Sequence, residues 1–139
     1  MNHVPVLHTS IGFTGTRKGM SPFQKESLRY RLSRLRKHFT WFHHGDEAHA
    51  DCEAAAIAKE LGYLIAVHPP TDKKSVGNWL GDFSYSEAPY LDRNRGIVNH
   101  SACLIAAPQT MCEELRSGTW YTVRYARKID RPITILARK

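Results

Sequence analysis

No apolar run in this sequence approaches the ~20 residues that a helix needs to cross a bilayer. The opening stretch, Met1 to Ser10, carries His3, Pro5 and His8 and lacks the charged-then-apolar order of a secretion signal. The expectation is a cytoplasmic chain with no membrane attachment. Cysteine is scarce: Cys52, Cys103 and Cys112 are odd in number and form no C-x-x-C pair, which argues against a disulfide framework or a zinc ribbon. Cys103 sits in an apolar run and reads as a small core residue. Repeats, low-complexity tracts and linkers are also missing, so residues 1–139 are read as one domain. What is present is a globular composition, 42% hydrophobic and 24% charged, on a chain long enough to bury a core without disulfides or metals. The formal net charge of +7 favours an anionic partner. Nucleic acid, a phosphorylated small molecule and plain solubility are all compatible with it.

Local patterns alternate between strand and helix. Ser10–Thr14 reads as a first strand ending in the turn Gly15-Thr16-Arg17. Ser21-Pro22-Phe23-Gln24 reads as a helix start: Ser21 can cap, Pro22 suits the first helical position and Gln24 can close a capping box. Leu28, Leu32, Leu35 and Phe39 then fall on one helical face. That face belongs to the core or to a homo-oligomer contact. A second strand over Thr40–His43 stops at His44-Gly45-Asp46. An alanine-rich helix over Asp51–Leu61 ends at Gly62, and a third strand over Tyr63–His68 ends at Pro69-Pro70. Thr71–Ala88 shows no period and reads as a long, functional or mobile loop. Tyr90–Asn99 reads as a helix. Ala102–Ala107 reads as a strand covered on both faces, Gly118–Ile129 as a helix capped by Ser117, and Ile133–Ala137 as the last strand. The class predicted is a Rossmann-like α/β fold, a five-stranded parallel sheet flanked by helices. In such sheets ligands sit beyond the carboxyl ends of the strands, where the strand order reverses.

Those strand ends carry the candidate chemistry. Gly15, Thr16 and Arg17 lead towards a helix. Glycine lets backbone approach an anion and arginine can grip phosphate or carboxylate bidentately, although a tight turn with a surface arginine has the same sequence. Ser117, Gly118 and Thr119 open the last helix, whose free N–H groups suit an anion; ordinary capping is the plainer use. Arg116 and Arg124 flank them. Of Arg93 and Arg95, two positions apart on a helix, only one can face the cleft well, and Arg93 is favoured. His43, His44, Asp46, Glu47, His49 and Asp51 are ligand-type residues, but their spacing matches no standard zinc pattern. A strand-end turn is the better reading, with Gly45 and Asp46 at the site and Asp46 or Asp51 bonding a ribose hydroxyl or capping a helix. No metal and no cofactor are expected. Trp79, Trp120, Tyr85 and Tyr90 can stack on a base or pack in the core. Asn99-His100-Ser101 matches a glycosylation sequon that carries no weight in a cytoplasmic chain.

From Ile11 to Ala137 the chain resembles the SLOG superfamily. This Rossmann-like group includes the Lonely Guy phosphoribohydrolases, often described as lysine-decarboxylase-like, the DNA-processing protein A fold and ligand-sensing domains of anti-phage systems. The resemblance rests on Gly12-Phe13-Thr14-Gly15-Thr16-Arg17, on His44-Gly45-Asp46 followed by Ala50-Asp51, and on Tyr90–Arg95 leading through Cys103–Ala106 to Arg116-Ser117-Gly118-Thr119-Trp120. The phosphoribohydrolases carry an arginine-lysine pair before a strand and P-G-G-x-G-T-x-x-E after it. Arg93 looks like that arginine, with Asn94 in place of the lysine. Pro108 looks like the motif's proline, an insertion follows, and Gly118-Thr119 matches its G-T. The position of the catalytic glutamate holds Thr122, which cannot act as a carboxylate. Glu113, Glu114 or Asp46 are the candidates to replace it.

The resemblance thus implies an intact phosphate-binding half and an altered catalytic half. It implies a protein that binds a nucleotide or ADP-ribose-related molecule as a sensor or sponge. A phosphoribohydrolase that splits a nucleoside 5′-monophosphate is the alternative, and single-stranded nucleic-acid binding a second one. Relatives of this kind often form homo-oligomers.

Overall fold

The computed structural model describes residues 4–139. Met1–His3, the start of the stretch read for a secretion signal, lie outside the described residues. A short 3-10 turn, Leu7–Thr9, leads into β1 (Ser10–Gly15). There follow α1 (Pro22–Leu35), β2 (Trp41–His44), α2 (Ala50–Glu60), β3 (Leu64–Val67), β4 (Phe83–Ser84), α3 (Tyr90–Asn99), β5 (Cys103–Ala107), α4 (Gly118–Lys128) and β6 (Ile133–Ile135). Among the described residues no helix is long and apolar enough to cross a membrane.

The six strands are all parallel, in the order β4-β3-β2-β1-β5-β6. The expected five strands are therefore six. The extra one, β4, lies inside the stretch read as loop. Two residues are too few to display a period of two, so nothing in the local pattern marks it. Backbone bonds flank its pairing, Asp82 N donating to Ile65 O and Tyr85 N to Val67 O, and one side chain adds to them: the Asp82 carboxylate accepts from Ile65 N.

Residues alternate across the sheet, which splits the core in two. Ile11, Phe13, Phe42, Ile65, Val67, Ile105 and Ala107 face α1 and α2. Leu104 and Ala106 face α3 and α4, against Ile97, Val98, Trp120, Val123 and Ala126. Leu28 and Leu32 are fully buried in the first of these layers, so that face of α1 serves the chain's own core.

α1 begins as its sequence dictates. Ser21 Oγ accepts from Gln24 N, the Gln24 side chain accepts from Ser21 N, and Pro22 fills the first turn. Gln24 also reaches across the fold. Its fully buried amide donates to Pro108 O at 2.9 Å and to Leu136 O at 3.2 Å, while Arg138 donates to Gly19 O at 2.9 Å. These bonds tie the segments after β1, β5 and β6 to one another.

β1 through β4 run outward in one direction, and the chain then returns to the far side of β1 for β5 and β6. Strand order thus reverses between β1 and β5, where a crevice opens beyond the carboxyl ends.

Candidate functional site

At that reversal lies a cleft of about 540 Å³. Three segments wall it: Phe13–Lys18 from the end of β1, Glu47 from the loop after β2 with Asp51 of the first turn of α2, and Gln109, Glu114 and Arg116–Thr119 around the start of α4; Tyr90, Arg93, Asn94 and Ile97 of α3 complete it. Of the residues singled out from the sequence, Gly15, Thr16, Arg17, Arg93, Glu114, Arg116, Ser117, Gly118 and Thr119 converge here. Gly45, Asp46 and Glu113 do not line the cleft.

Each of those three has another partner. Gly45 presents its carbonyl to the Arg93 guanidinium. Asp46 takes a left-handed backbone, φ 58°, and its carboxylate accepts from Trp79 N at 2.9 Å. Its carbonyl takes Gly77 N, and Ala48 N donates to Ser75 O, so the loop from Ser75 to Trp79 is pinned to the segment 46–48. Glu113 is exposed and held by Arg127 at 2.6 Å and Arg124 at 3.6 Å; Arg127 holds its carboxyl below the usual range. Arg124 in addition donates to the carbonyls of Glu114 and Leu115, fixing the run into α4.

At the α4 end the site is suited to an anion. Ser117 Oγ accepts from Trp120 N, which leaves the first N–H groups of the helix, those of Gly118 and Thr119, for a ligand. Arg116 adjoins them, and Lys18 lies on the facing turn after β1. Thr122, where the phosphoribohydrolase motif sets its glutamate, is fully buried and donates to Gly118 O at 2.8 Å. It faces helix packing rather than the cleft.

At the β2 end the chemistry changes sign. Asp51 is buried, and one of its oxygens accepts from Gly45 N at 3.0 Å and Glu47 N at 3.2 Å. Burial pushes its pKa up to about 7 against the pull of Arg93. Glu47, read from the sequence only as one of a run of ligand-type residues, stands in the cleft wall and accepts from Tyr90 OH at 2.7 Å. The Tyr90 ring has the Arg17 and Arg93 guanidiniums stacked against it, each 4.8 Å from its centroid. Arg93 is buried; it donates to Asn94 Oδ1, Gly45 O and His68 O, while Arg95 pairs on the surface with Asp92 and Tyr121.

The histidines divide. Successive residues of a strand point to opposite faces, so His43 and His44 cannot share one ion. His43 Nδ1 meets His68 Nε2 at 2.8 Å, and His68 stacks on Tyr85 with centroids 4.1 Å apart. His44 Nδ1 accepts from Asp46 N. Burial is the main cause that lowers His43 and His44 to about 3 and His68 well below its usual value. Among the described residues no group of three His, Cys, Asp or Glu side chains is arranged to hold a metal ion. Of the four aromatics named for stacking, Tyr90 lines the cleft, Trp120 is buried in the core, Trp79 meets His44 edge-on and Tyr85 joins the histidine stack.

No protein-family model and no curated protein matches the chain. Solved structures do. The molybdenum cofactor binding protein of the phototrophic bacterium Rippkaea orientalis superposes with a TM-score of 0.67 at 21% identity, over 91% of this chain and 74% of that one. The DNA processing protein A of Helicobacter pylori, whose structure concerns a single-stranded DNA binding mode, gives 0.65 at 19%, over 96% and 67%. The molybdenum cofactor carrier protein of Chlamydomonas reinhardtii gives 0.65 at 19%, over 91% and 74%. At these identities the likeness is one of fold.

Proposed function

We propose, from the premise that this chain has a SLOG-type Rossmannoid fold, that the cleft binds a nucleotide or an ADP-ribose-related small molecule and releases it intact, as a sensor or sponge. The observation that carries this is the convergence of the Arg17-Lys18 turn and Arg116-Ser117-Gly118-Thr119 on one crevice at the reversal of strand order. A terminal phosphate sits against the α4 N–H groups, with Arg116 as its counter-charge. Retention rather than hydrolysis is supported by Thr122, turned into helix packing at the motif's carboxylate position, and by Glu113, occupied by two arginines outside the cleft; Glu114, which lines the cleft, is the candidate carboxylate left to the hydrolase alternative. That two of the structural neighbours are a binding protein and a carrier protein of the molybdenum cofactor fits a small-molecule ligand.

The test is mass spectrometry of free and protein-bound fractions after incubation with ribonucleoside 5′-monophosphates and ADP-ribose. The expected result is one compound retained whole, with R116A weakening it by about tenfold, the scale of one charge-assisted contact. Free base with ribose 5-phosphate would instead establish the phosphoribohydrolase alternative. The likeness to DNA processing protein A and the net charge of +7 support a second reading, single-stranded DNA binding. It predicts an affinity for short oligonucleotides that falls steeply with salt. A cytoplasmic location and a homo-oligomeric state remain part of the proposal; Leu80 and Leu115 are the most exposed of several apolar side chains available for self-contact.

A further inference from the structure

Among the described residues, Glu47 is the carboxylate of the cleft wall that has a fully buried oxygen without a hydrogen-bond partner. The residue is 7% exposed. Its Oε2 accepts from Tyr90 OH, but Oε1 is buried with no hydrogen-bond partner. The nearest cation, Arg17 Nε, stands 3.7 Å from Oε1, within an ion pair and beyond a hydrogen bond. Neighbouring Asp51 differs: its oxygen takes two backbone N–H groups and thereby fixes the loop. Buried acceptors without donors are rare in folded chains and call for a missing partner. Here the side chain that bears the orphaned oxygen lines the cleft, and it is clamped by a tyrosine over whose ring two guanidiniums lie; a ligand reaches the oxygen where Arg17, itself largely exposed, gives way.

The partner must donate a hydrogen bond to a carboxylate beside two arginines. A cation would be repelled by Arg17 and Arg93, and an anion by Glu47 itself; a neutral hydroxyl satisfies both constraints. Position narrows it further. Glu47 follows β2 and the α4 anion site follows β5, with β1 between them. Two strand spacings are about 10 Å, a span suited to a nucleoside monophosphate laid from its phosphate to the far side of its sugar. Dinucleotide folds likewise use an acidic residue to bind ribose.

We propose that Glu47 Oε1 accepts a hydrogen bond from a ribose hydroxyl of the bound ligand, making the cleft selective for ribonucleotides over their deoxy counterparts. The inference rests on the nucleotide reading above. It also opposes the DNA reading, because DNA lacks the 2′-hydroxyl and esterifies the 3′ oxygen.

The experiment is calorimetric titration of the wild-type chain with ribonucleoside 5′-monophosphates and ADP-ribose, each against its 2′-deoxy and 3′-deoxy analogue. Losing the bonded hydroxyl should weaken binding by about 10–100-fold, the scale of a hydrogen bond to a charged group. The same pair should bind equally to E47A, because the acceptor is gone. Y90F, which frees the clamped carboxylate, should keep a reduced preference. Ribo and deoxy forms binding the wild type alike would overturn the role of Glu47 while leaving nucleotide binding intact. No binding by any nucleotide would overturn both. A deoxy penalty that persists undiminished in a folded E47A would assign the hydroxyl to another residue and overturn the inference.

Discussion

Arg93 carries a permanent charge into the interior at 4% exposure, and its hydrogen bonds explain how. One guanidinium links Asn94 of its own helix to the carbonyls of Gly45 and His68, at the ends of β2 and β3. Lysine retains the charge but not the fork, so one ammonium cannot serve the same spread of acceptors. R93K should therefore lower stability by about 1–3 kcal/mol in urea denaturation; an unchanged midpoint would mean the guanidinium is not the clamp. The family resemblance points to this arginine, and the helical spacing favours it over Arg95. What no pattern conveyed is that its main-chain partners are buried carbonyls. Asp46 and Glu47 illustrate a sharper limit. They are adjacent acids after one strand, and the left-handed turn at Asp46 sends the first away to Trp79 and the second into the cleft wall. A single backbone angle decides which acid can meet a ligand, and the residue types alone do not disclose it.

Among the elements, α1 was legible from its cap and the helical spacing of its leucines, α2 from its alanines and closing glycine, and β5 from an unbroken apolar run. Gln24 was legible as a capping residue, yet its bonds to Pro108 and Leu136 join positions far apart in sequence and leave no local trace. The stretch 71–88 was legible only as lacking a pattern. Its order comes from contacts made elsewhere: Asp46 receives Trp79 N and Gly77 N, and β4 borrows its ladder from β3. Removing the Asp46 carboxylate should thus release the loop. Asn keeps an acceptor and tolerates a left-handed backbone, whereas Ala offers neither. In hydrogen exchange, D46A should deprotect residues 75–79 while D46N stays near wild type. Equal protection in both would remove Asp46 as the pin.

At the scale of the whole molecule, buried titrating groups set the acid limit. His43 and His44, lowered to about 3 from 6.5, and His68, lowered well below it, bind fewer protons folded than unfolded. Their contribution is present above about pH 6.5 and is lost as pH falls towards 3. Asp51 works in the opposite sense: raised from 3.8 to about 7, it contributes most below about pH 4 and loses that contribution as pH rises to 7. Three histidines outweigh one aspartate, so Tm should fall between pH 6.5 and pH 4. D51N keeps an oxygen for the Gly45 and Glu47 N–H groups without a charge. Its Tm relative to wild type should rise as pH increases from about 4 to 8; a flat difference would remove Asp51 as a titrating group. The bonds gathered at Gln24 have a further consequence, for synthesis. A ribosome delivers the chain from the amino end, so β1 and α1 emerge before residues 136–138 exist. Until those residues appear, the Gln24 amide lacks one acceptor and Gly19 lacks its arginine. Synthesis of the strands alone thus does not complete these ties: the segments after β1 and β5 are locked to the segment after β6 only once residue 138 has left the ribosome.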